Sequence, residues 1–282
     1  MRFVSFRMRG DFRERPGILE GDAVRAIDCA SLQAYVSLEK SARAARTNGE
    51  RFALRTVELA APIRPSRNVF CVGRNYLEHA KEGARAAGRE LKLPEVPTFF
   101  TKAPTAIAGP DATVHFSSRV SKEYDYEAEL AIVIGTRCKD VIERDAAGVI
   151  FGFTCLNDLT ARDLQRAHLQ WFKGKSLDES CPIGPCIVSP DELGDAQALA
   201  IELRLNGATM QKSNTSQMIF PIARLIAELS KGMTLEPGDV IATGTPDGVG
   251  FARTPPAFLQ DGDVVEVDVE RIGVLRNRIA IS

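Results

Sequence analysis

Three acidic residues in the middle of the chain have the types and spacing to hold a cation. Glu127 and Glu129 lie two apart in YDYEAELAIVIG, and Asp158 lies in FGFTCLNDLTARD. The first stretch runs into Leu130–Ile134, apolar and rich in β-branched residues, which predicts a strand. Residues two apart on a strand share a face, so Glu127 and Glu129 point the same way, opposite to Ala128 and Leu130. Carboxylates sharing a face repel, and they are costly to desolvate unless a cation or protons compensate. A hard divalent ion with oxygen ligands meets that need. The same pattern also suits a strand with its polar residues in solvent, and the spacing alone favours that plainer reading.

Other reactive residues are sparse. The three histidines are His79, His115 and His168. His79 and Glu82 are three apart on a predicted helix, where side chains are neighbours and a carboxylate can orient an imidazole for general-base work. Spacing alone equally fits an ordinary surface pair. His115 is expected on a strand, packed, and His168 on a helix surface or in packing. Lys102 and Lys175 stand in apolar or glycine-rich settings, where a lysine can bind a carboxylate or stabilise an enolate. The sequence has no G-x-S-x-G elbow, Walker sequence or G-x-G-x-x-G, so those hydrolase and nucleotide-binding patterns have no support. TGTPDGVG at 243–250 is glycine-rich, but it lacks the Lys-Ser/Thr ending of a phosphate loop and is expected to be a tight turn closing a hairpin.

The elements that must position these residues can be read along the chain. The 282 residues suit one large domain, or a large one with a small one. The net charge of −1 gives no basic surplus for a nucleic-acid backbone. No apolar run approaches a membrane span, and the charged N-terminus lacks the apolar core of a signal peptide. The six cysteines carry no C-x-x-C, and most sit beside apolar residues and suit buried thiols in a reducing compartment. The expectation is a soluble, cytoplasmic protein.

Residues 1–64 are expected to form a small unit of their own: a strand MRFVSF, a hairpin around Gly21-Asp22 and a helix over Ser31–Asn48, closed by the stiff connector Ala61–Pro65. Residues 65–282 form the second unit. Strands are expected at NVFCVG, Thr98–Thr101, Thr113–Phe116, Glu127–Ile134, Val149–Cys155, Cys186–Val188, Ala200–Leu205, Val240–Thr243, Val264–Val269 and Val274–Ile281. Helices are expected from Tyr76 to about Glu90, over LTARDLQRAHLQW, and over Ile219–Lys231 with Pro221 in its first turn. Many strands and few helices, without βαβ alternation, predict an α+β fold.

Taken in order, VGRNYLEHAKE, FTKAPTAIAGP, YDYEAELAIVIG, GFTCLNDLTARDLQ, KGKSLDESCPIGP, NTSQMIFP and TGTPDGVG resemble the motifs of the fumarylacetoacetate hydrolase family. The VGRNY variant resembles the acylpyruvase and oxaloacetate decarboxylase branch. The first 65 residues look like the small N-terminal domain that many bacterial members carry. The resemblance implies a mixed β-roll with a small N-terminal α+β domain, usually a homodimer. It implies Mg²⁺ or Mn²⁺ on Glu127, Glu129 and Asp158. It implies a catalytic dyad of His79 and Glu82 on a segment that orders over substrate, and Lys175 near the reacting oxygen. Arg74, Lys102, Gln165 and Thr245 match positions lining the substrate site, with substrate choice made partly in Gly83–Pro94.

The reaction implied is hydrolysis of a C–C bond in a small 2,4-dioxo acid of acylpyruvate or fumarylpyruvate type. His79 would deprotonate water, and an enolate would form. Oxaloacetate decarboxylation, isomerisation of a 2-hydroxydienoate, and a lyase or hydrolase on a ureido or diketo-deoxy sugar acid are the alternatives. A non-catalytic binding protein is a further one, against which the complete acidic triad and dyad speak. Neither nucleic acid nor membrane is expected as a partner.

Overall fold

The computed structural model describes residues 1–47, 49–86, 88 and 90–282. A strand buried on both faces organises the fold. Ala128–Ile134 has every residue buried, flanked by Ile150–Asn157 on one side and Val240–Ala242 on the other. Its side chains alternate between two apolar cores. Ala128, Leu130, Ile132 and Ile134 enter the larger cluster, while Ala131 and Val133 enter the smaller. Period two therefore sends Glu129 and Glu127 toward the smaller cluster. The solvent-facing alternative has no solvent to face.

Around this strand runs a sheet of 12 strands among the described residues. Its path is Arg51–Ala53, Ala23–Ala26, Arg15–Glu20, Arg2–Met8, Cys181–Val188, Ile150–Asn157, Ala128–Ile134, Val240–Ala242, Val69–Gly73 and Thr98–Lys102, with Val57–Ala60 paired to Arg2–Met8 and Ile107–Ala108 to Cys181–Val188 off this path. Most neighbours are antiparallel, but Val240–Ala242 lies parallel to Val69–Gly73. A second sheet of 5 strands contains Ala208–Asn214, Ala200–Leu205, Val264–Val269, Gly273–Ile281 and Thr113–Phe116. The helices are few and short, the longest being Leu77–Ala86 and Ile222–Ser230. This is the mixed α+β architecture that the element pattern predicts.

The first 64 residues reach the rest of the chain through main-chain and side-chain contacts. Arg2 and Phe3 pair with Val188 and Ile187, whereas farther along the same strand Ser5–Met8 pair within the first 64 residues, with Ala60–Val57. The Phe3 ring packs 4.8 Å from Phe151 and 5.8 Å from Tyr35.

Several local expectations change. Ser31–Asn48 is two short helices, Leu32–Val36 and Lys40–Ala44, instead of one; Asn48 lies outside the described residues. Ser31 caps the first helix by accepting from the Ala34 N–H, and the second buries none of its residues, so no continuous apolar face holds the two in line. The helix expected to about Glu90 runs over Leu77–Ala86, and Ala87 and Arg89 lie outside the described residues. LTARDLQRAHLQW yields a helix only at Arg162–Ala167, because Thr160–Ala161 is taken up in pairing with Tyr124–Asp125. Pro221 is the N-cap of its helix and not within it. The strand Ala208–Asn214 is polar and gave no apolar signal, but Asn206 and Gly207 both have positive φ (51° and 82°), as a two-residue hairpin turn requires. TGTPDGVG does not close a hairpin; it follows Val240–Ala242 and leads into a 3₁₀ turn at Gly250–Ala252. His115 is on a strand but its side chain is exposed, Nδ1 lying 3.0 Å from Glu179.

Replacing Phe3 with alanine is expected to cost about 3–5 kcal/mol, the usual loss for a buried ring. Urea unfolding followed by circular dichroism would measure it.

Candidate active site

The strand register builds the acidic cluster. Ala128 pairs with Asn157, so Glu127 and Asp158 are neighbours at the ends of two adjacent strands. The Asp158 N–H donates to the Glu127 carbonyl at 2.9 Å, and the Glu127 N–H donates to Asn157 Oδ1 at 3.1 Å. Leu156 belongs to the smaller cluster, and Asp158, two residues on, continues its face. Phe100 packs against the same cluster, and Lys102 continues its face in turn. One face of the sheet is therefore apolar along its length and acidic and basic at its end.

Carboxylate oxygens of Glu127, Glu129 and Asp158 lie within 4.8 Å of one another, and all three residues are buried. That separation is within the roughly 4–5 Å between opposite oxygens around one hard cation. Lys102 Nζ donates to Asp158 Oδ1 at 2.6 Å and to the Leu159 carbonyl at 3.0 Å. Lys175 Nζ donates to Glu127 Oε2 at 2.8 Å and Asp158 Oδ2 at 2.7 Å. Arg162 lies 2.7 Å from Glu127 Oε1 through Nη2, and its Nε donates to Asp125 Oδ2 at 2.8 Å.

These contacts leave one charge over. Four buried carboxylates, Asp125, Glu127, Glu129 and Asp158, stand against three buried cations, Lys102, Lys175 and Arg162. Every ion pair of those cations ends on Asp125, Glu127 or Asp158. Among the described residues Glu129 has only the Gly244 N–H, donating to Oε2 at 2.7 Å, and its Oε1 is buried without a hydrogen-bond partner. The Tyr76 hydroxyl is likewise buried and unpartnered. Buried polar atoms are rarely left so. An all-carboxylate donor set with a free oxygen fits a hard divalent cation.

The titration of these groups follows. Burial pushes Glu127 up, but Lys175 and Arg162 outweigh it and bring it down to about 2. Burial, then Asp158 and Glu127, push Glu129 well above the usual carboxylate range. Burial pulls Lys175 down, and Asp158 and Glu127 more than reverse that, so it stays an ammonium. Burial and then the Glu129 charge raise Tyr76, which stays a phenol.

The remaining expected site residues each have partners of their own. His79 Nδ1 lies 3.4 Å from Glu82 Oε2 on Leu77–Ala86. Glu82 is itself fixed by the Gly248 N–H, 2.9 and 3.1 Å from its two oxygens. His79 is near enough to Glu127 to help lower its pKa. Thr245 is buried and accepts from Gln211 Nε2 at 2.8 Å. Gln165 accepts from Arg162 Nη1 at 3.1 Å. Arg74 is exposed, in the left-handed region (φ 58°), with its guanidinium 5.7 Å over the Trp171 ring.

Sequence reasoning passed over Arg162, Asp125, Tyr76 and Gln211. Gln211 also accepts from the Ala128 N–H at 2.9 Å and so ties the 243–250 segment to the central strand. Gln211 could not be found, because the strand carrying it gave no signal. Arg162 stood in the ARDLQ motif, where among Asp163, Gln165 and Arg166 it reads as helix surface.

Comparison with known proteins gives consistent matches. Residues 68–280 match the family described as fumarylacetoacetate (FAA) hydrolase C-terminal. The chain is 47% identical to oxaloacetate tautomerase YisK of Bacillus subtilis, over 81% of this chain and 75% of that one. Among solved structures it is similar to a fumarylacetoacetate hydrolase from psychrophilic Exiguobacterium antarcticum, with TM-score 0.86 and 39% identity over 100% of both chains. A 5-carboxymethyl-2-hydroxymuconate delta-isomerase from Mycobacterium smegmatis gives TM-score 0.83 and 35% identity over 100% of both chains.

The raised Glu129 pKa sets a pH dependence for the cation-free protein. Above the unfolded carboxylate pKa the folded state holds a proton that the unfolded chain has lost, so stability falls as pH rises. Thermal unfolding in EDTA is expected to show a falling midpoint from about pH 5 to about pH 8, and Glu129→Gln is expected to remove most of that fall. The variant should gain about 1 kcal/mol in EDTA at the upper pH, the scale of one relieved buried polar group.

Proposed function

Since the chain belongs to the fumarylacetoacetate hydrolase family, we propose that it moves a proton between carbon 3 and the 2-oxygen of a small 2-oxo dicarboxylate, with oxaloacetate as the substrate. The observation that carries this is the buried triad with its unpartnered Glu129 oxygen, set beside an ammonium and within electrostatic reach of a histidine–carboxylate pair. The similarity to a protein named oxaloacetate tautomerase supports the choice of substrate.

A divalent ion, Mg²⁺ or Mn²⁺, on Glu127, Glu129 and Asp158 would supply a Lewis acid for the 2-oxo oxygen. The chain's own groups do the rest. Arg74, open to solvent over Trp171, receives a substrate carboxylate, which a guanidinium can meet with two parallel donors. Lys175 stays positive against Glu127 and Asp158 and stabilises the negative charge that develops as the carbon-bound proton leaves. Glu82 holds His79 through Nδ1, leaving Nε2 to accept that proton and return one to oxygen. Gln165, bonded to Arg162, and Thr245, bonded to Gln211, complete the proposed substrate site, and Lys102 fixes Asp158. No attacking water is needed.

One observation favours a second reading. A histidine oriented by a buried-anchored carboxylate can equally take a proton from water, which is the step that hydrolysis of an acylpyruvate requires.

Ultraviolet absorbance of the oxaloacetate enol tests both. Accelerated decay of the enol band with Mg²⁺, abolished by EDTA and without pyruvate, is the expected result. Pyruvate from acetylpyruvate would support the hydrolytic reading, and no change with either substrate would refute both. His79→Ala is expected to lower the rate by about 10²–10⁴-fold while leaving Mn²⁺ binding, followed by electron paramagnetic resonance, intact.

A further inference from the structure

Behind the acidic triad stands a buried assembly that the reaction above does not use. Asp125 accepts from three main-chain donors, the Tyr126 N–H at 2.9 Å, the Gly250 N–H at 2.7 Å and the Phe251 N–H at 3.0 Å. Its Oδ2 also accepts from Arg162 Nε at 2.8 Å. The Arg162 guanidinium lies 4.4 Å over the Phe251 ring, donates to Gln165 through Nη1 and touches Glu127 Oε1 through Nη2. Each edge of the fork therefore meets a different neighbour, and Phe251 covers a face. The side chains of Asp125 and Arg162 are almost wholly buried, at 0% and 5% exposure.

Burying this pair is costly, and a well-packed apolar pair of similar volume is often as stable. Stability alone therefore gives no reason for an arginine here. Geometry does. Glu127 Oε2 accepts from Lys175 Nζ at 2.8 Å, and Oε1 forms an ion pair with Arg162 Nη2 at 2.7 Å that is outside hydrogen-bond geometry, so a cation flanks each oxygen of its carboxylate. The turn that seats Asp125 also seats the dyad, because the Gly248 N–H that grips Glu82 is two residues from the Gly250 N–H that grips Asp125. The turn cannot easily shift. A Cβ at Gly248 would collide with the Met210 carbonyl, and one at Gly250 with the Ala257 carbonyl.

We propose that Arg162, seated by Asp125, is a positioning residue for the cation site: it fixes the Glu127 carboxylate in the orientation that receives the ion and anchors it to the turn that also holds Glu82. This inference rests on the triad's holding a cation and on no choice of substrate. Field and position predict opposite results. As a mere positive charge, Arg162 repels a cation, and removing it would tighten binding. As a positioning group it strengthens binding, and a lysine that keeps the charge but lacks the fork would not replace it.

The test is Mn²⁺ binding to the purified full chain, followed by electron paramagnetic resonance, for wild type, Arg162→Lys and the doubly neutral Asp125→Asn/Arg162→Gln. Arg162→Lys is expected to bind about 10–100-fold more weakly, the range for lost outer partners of metal ligands, with a broadened spectrum and a thermal midpoint in EDTA close to wild type. The double variant removes both buried charges together, so it tests the role should the single variant fold poorly; it too should bind more weakly. Unchanged affinity in Arg162→Lys, or tighter binding in the double variant, overturns the proposal. Absence of Mn²⁺ binding by wild type would overturn the cation site itself, and this inference with it.

Discussion

An unmatched negative charge in a dry place governs this protein. Four carboxylates and three cations are packed into the end of an apolar sheet face, and each of the cations is spent on a carboxylate other than Glu129. A charge so buried must be neutralised by a proton or by an ion. The raised Glu129 pKa and its unpartnered oxygen are two views of that requirement. Lys175 and Arg162 hold Glu127 below the usual carboxylate range, whereas burial and its acidic neighbours hold Glu129 above it.

The sheet makes this arrangement possible. A strand buried on both faces has its backbone groups paired on either side, so only the ends of neighbouring strands are free to offer side chains to a common point. Ala128–Ile134, Ile150–Asn157 and Thr98–Lys102 contribute acidic and basic residues at such ends. Behind them the apolar cluster excludes water, and this strengthens each electrostatic contact. In front, the exposed Arg74 and the half-buried His79–Glu82 pair are attached to less buried segments. The rigid half of the site is thus built on strands and the adaptable half on a short helix and loops, as a site that must admit and enclose a substrate would be.

Membership of the fumarylacetoacetate hydrolase family accounts for the joint presence of these parts. Moving a proton and activating water for attack both pass through negative charge on a substrate oxygen, which the same kinds of group stabilise. The relatives bear this range in their names, tautomerase, hydrolase and isomerase.

The sequence by itself determined the composition of the site and the sheet-rich class of the fold. Glu127 and Glu129 share a face because strands have period two, and the apolar run after them left little else for that segment to be. The motif order carried the family. The tertiary structure decided which face was buried, and so turned a pattern that spacing alone would place in solvent into a charged cluster. It also decided the partners of Glu127 and Asp158, since Lys102, Arg162 and Lys175 come from separate segments and meet only through strand register. Arg162 and Gln211 were invisible for that reason: an arginine in a polar motif and a glutamine on a polar strand look like surface until the fold covers them. Local propensity reads neighbours along the chain, whereas charge balance in a core is settled by neighbours in space.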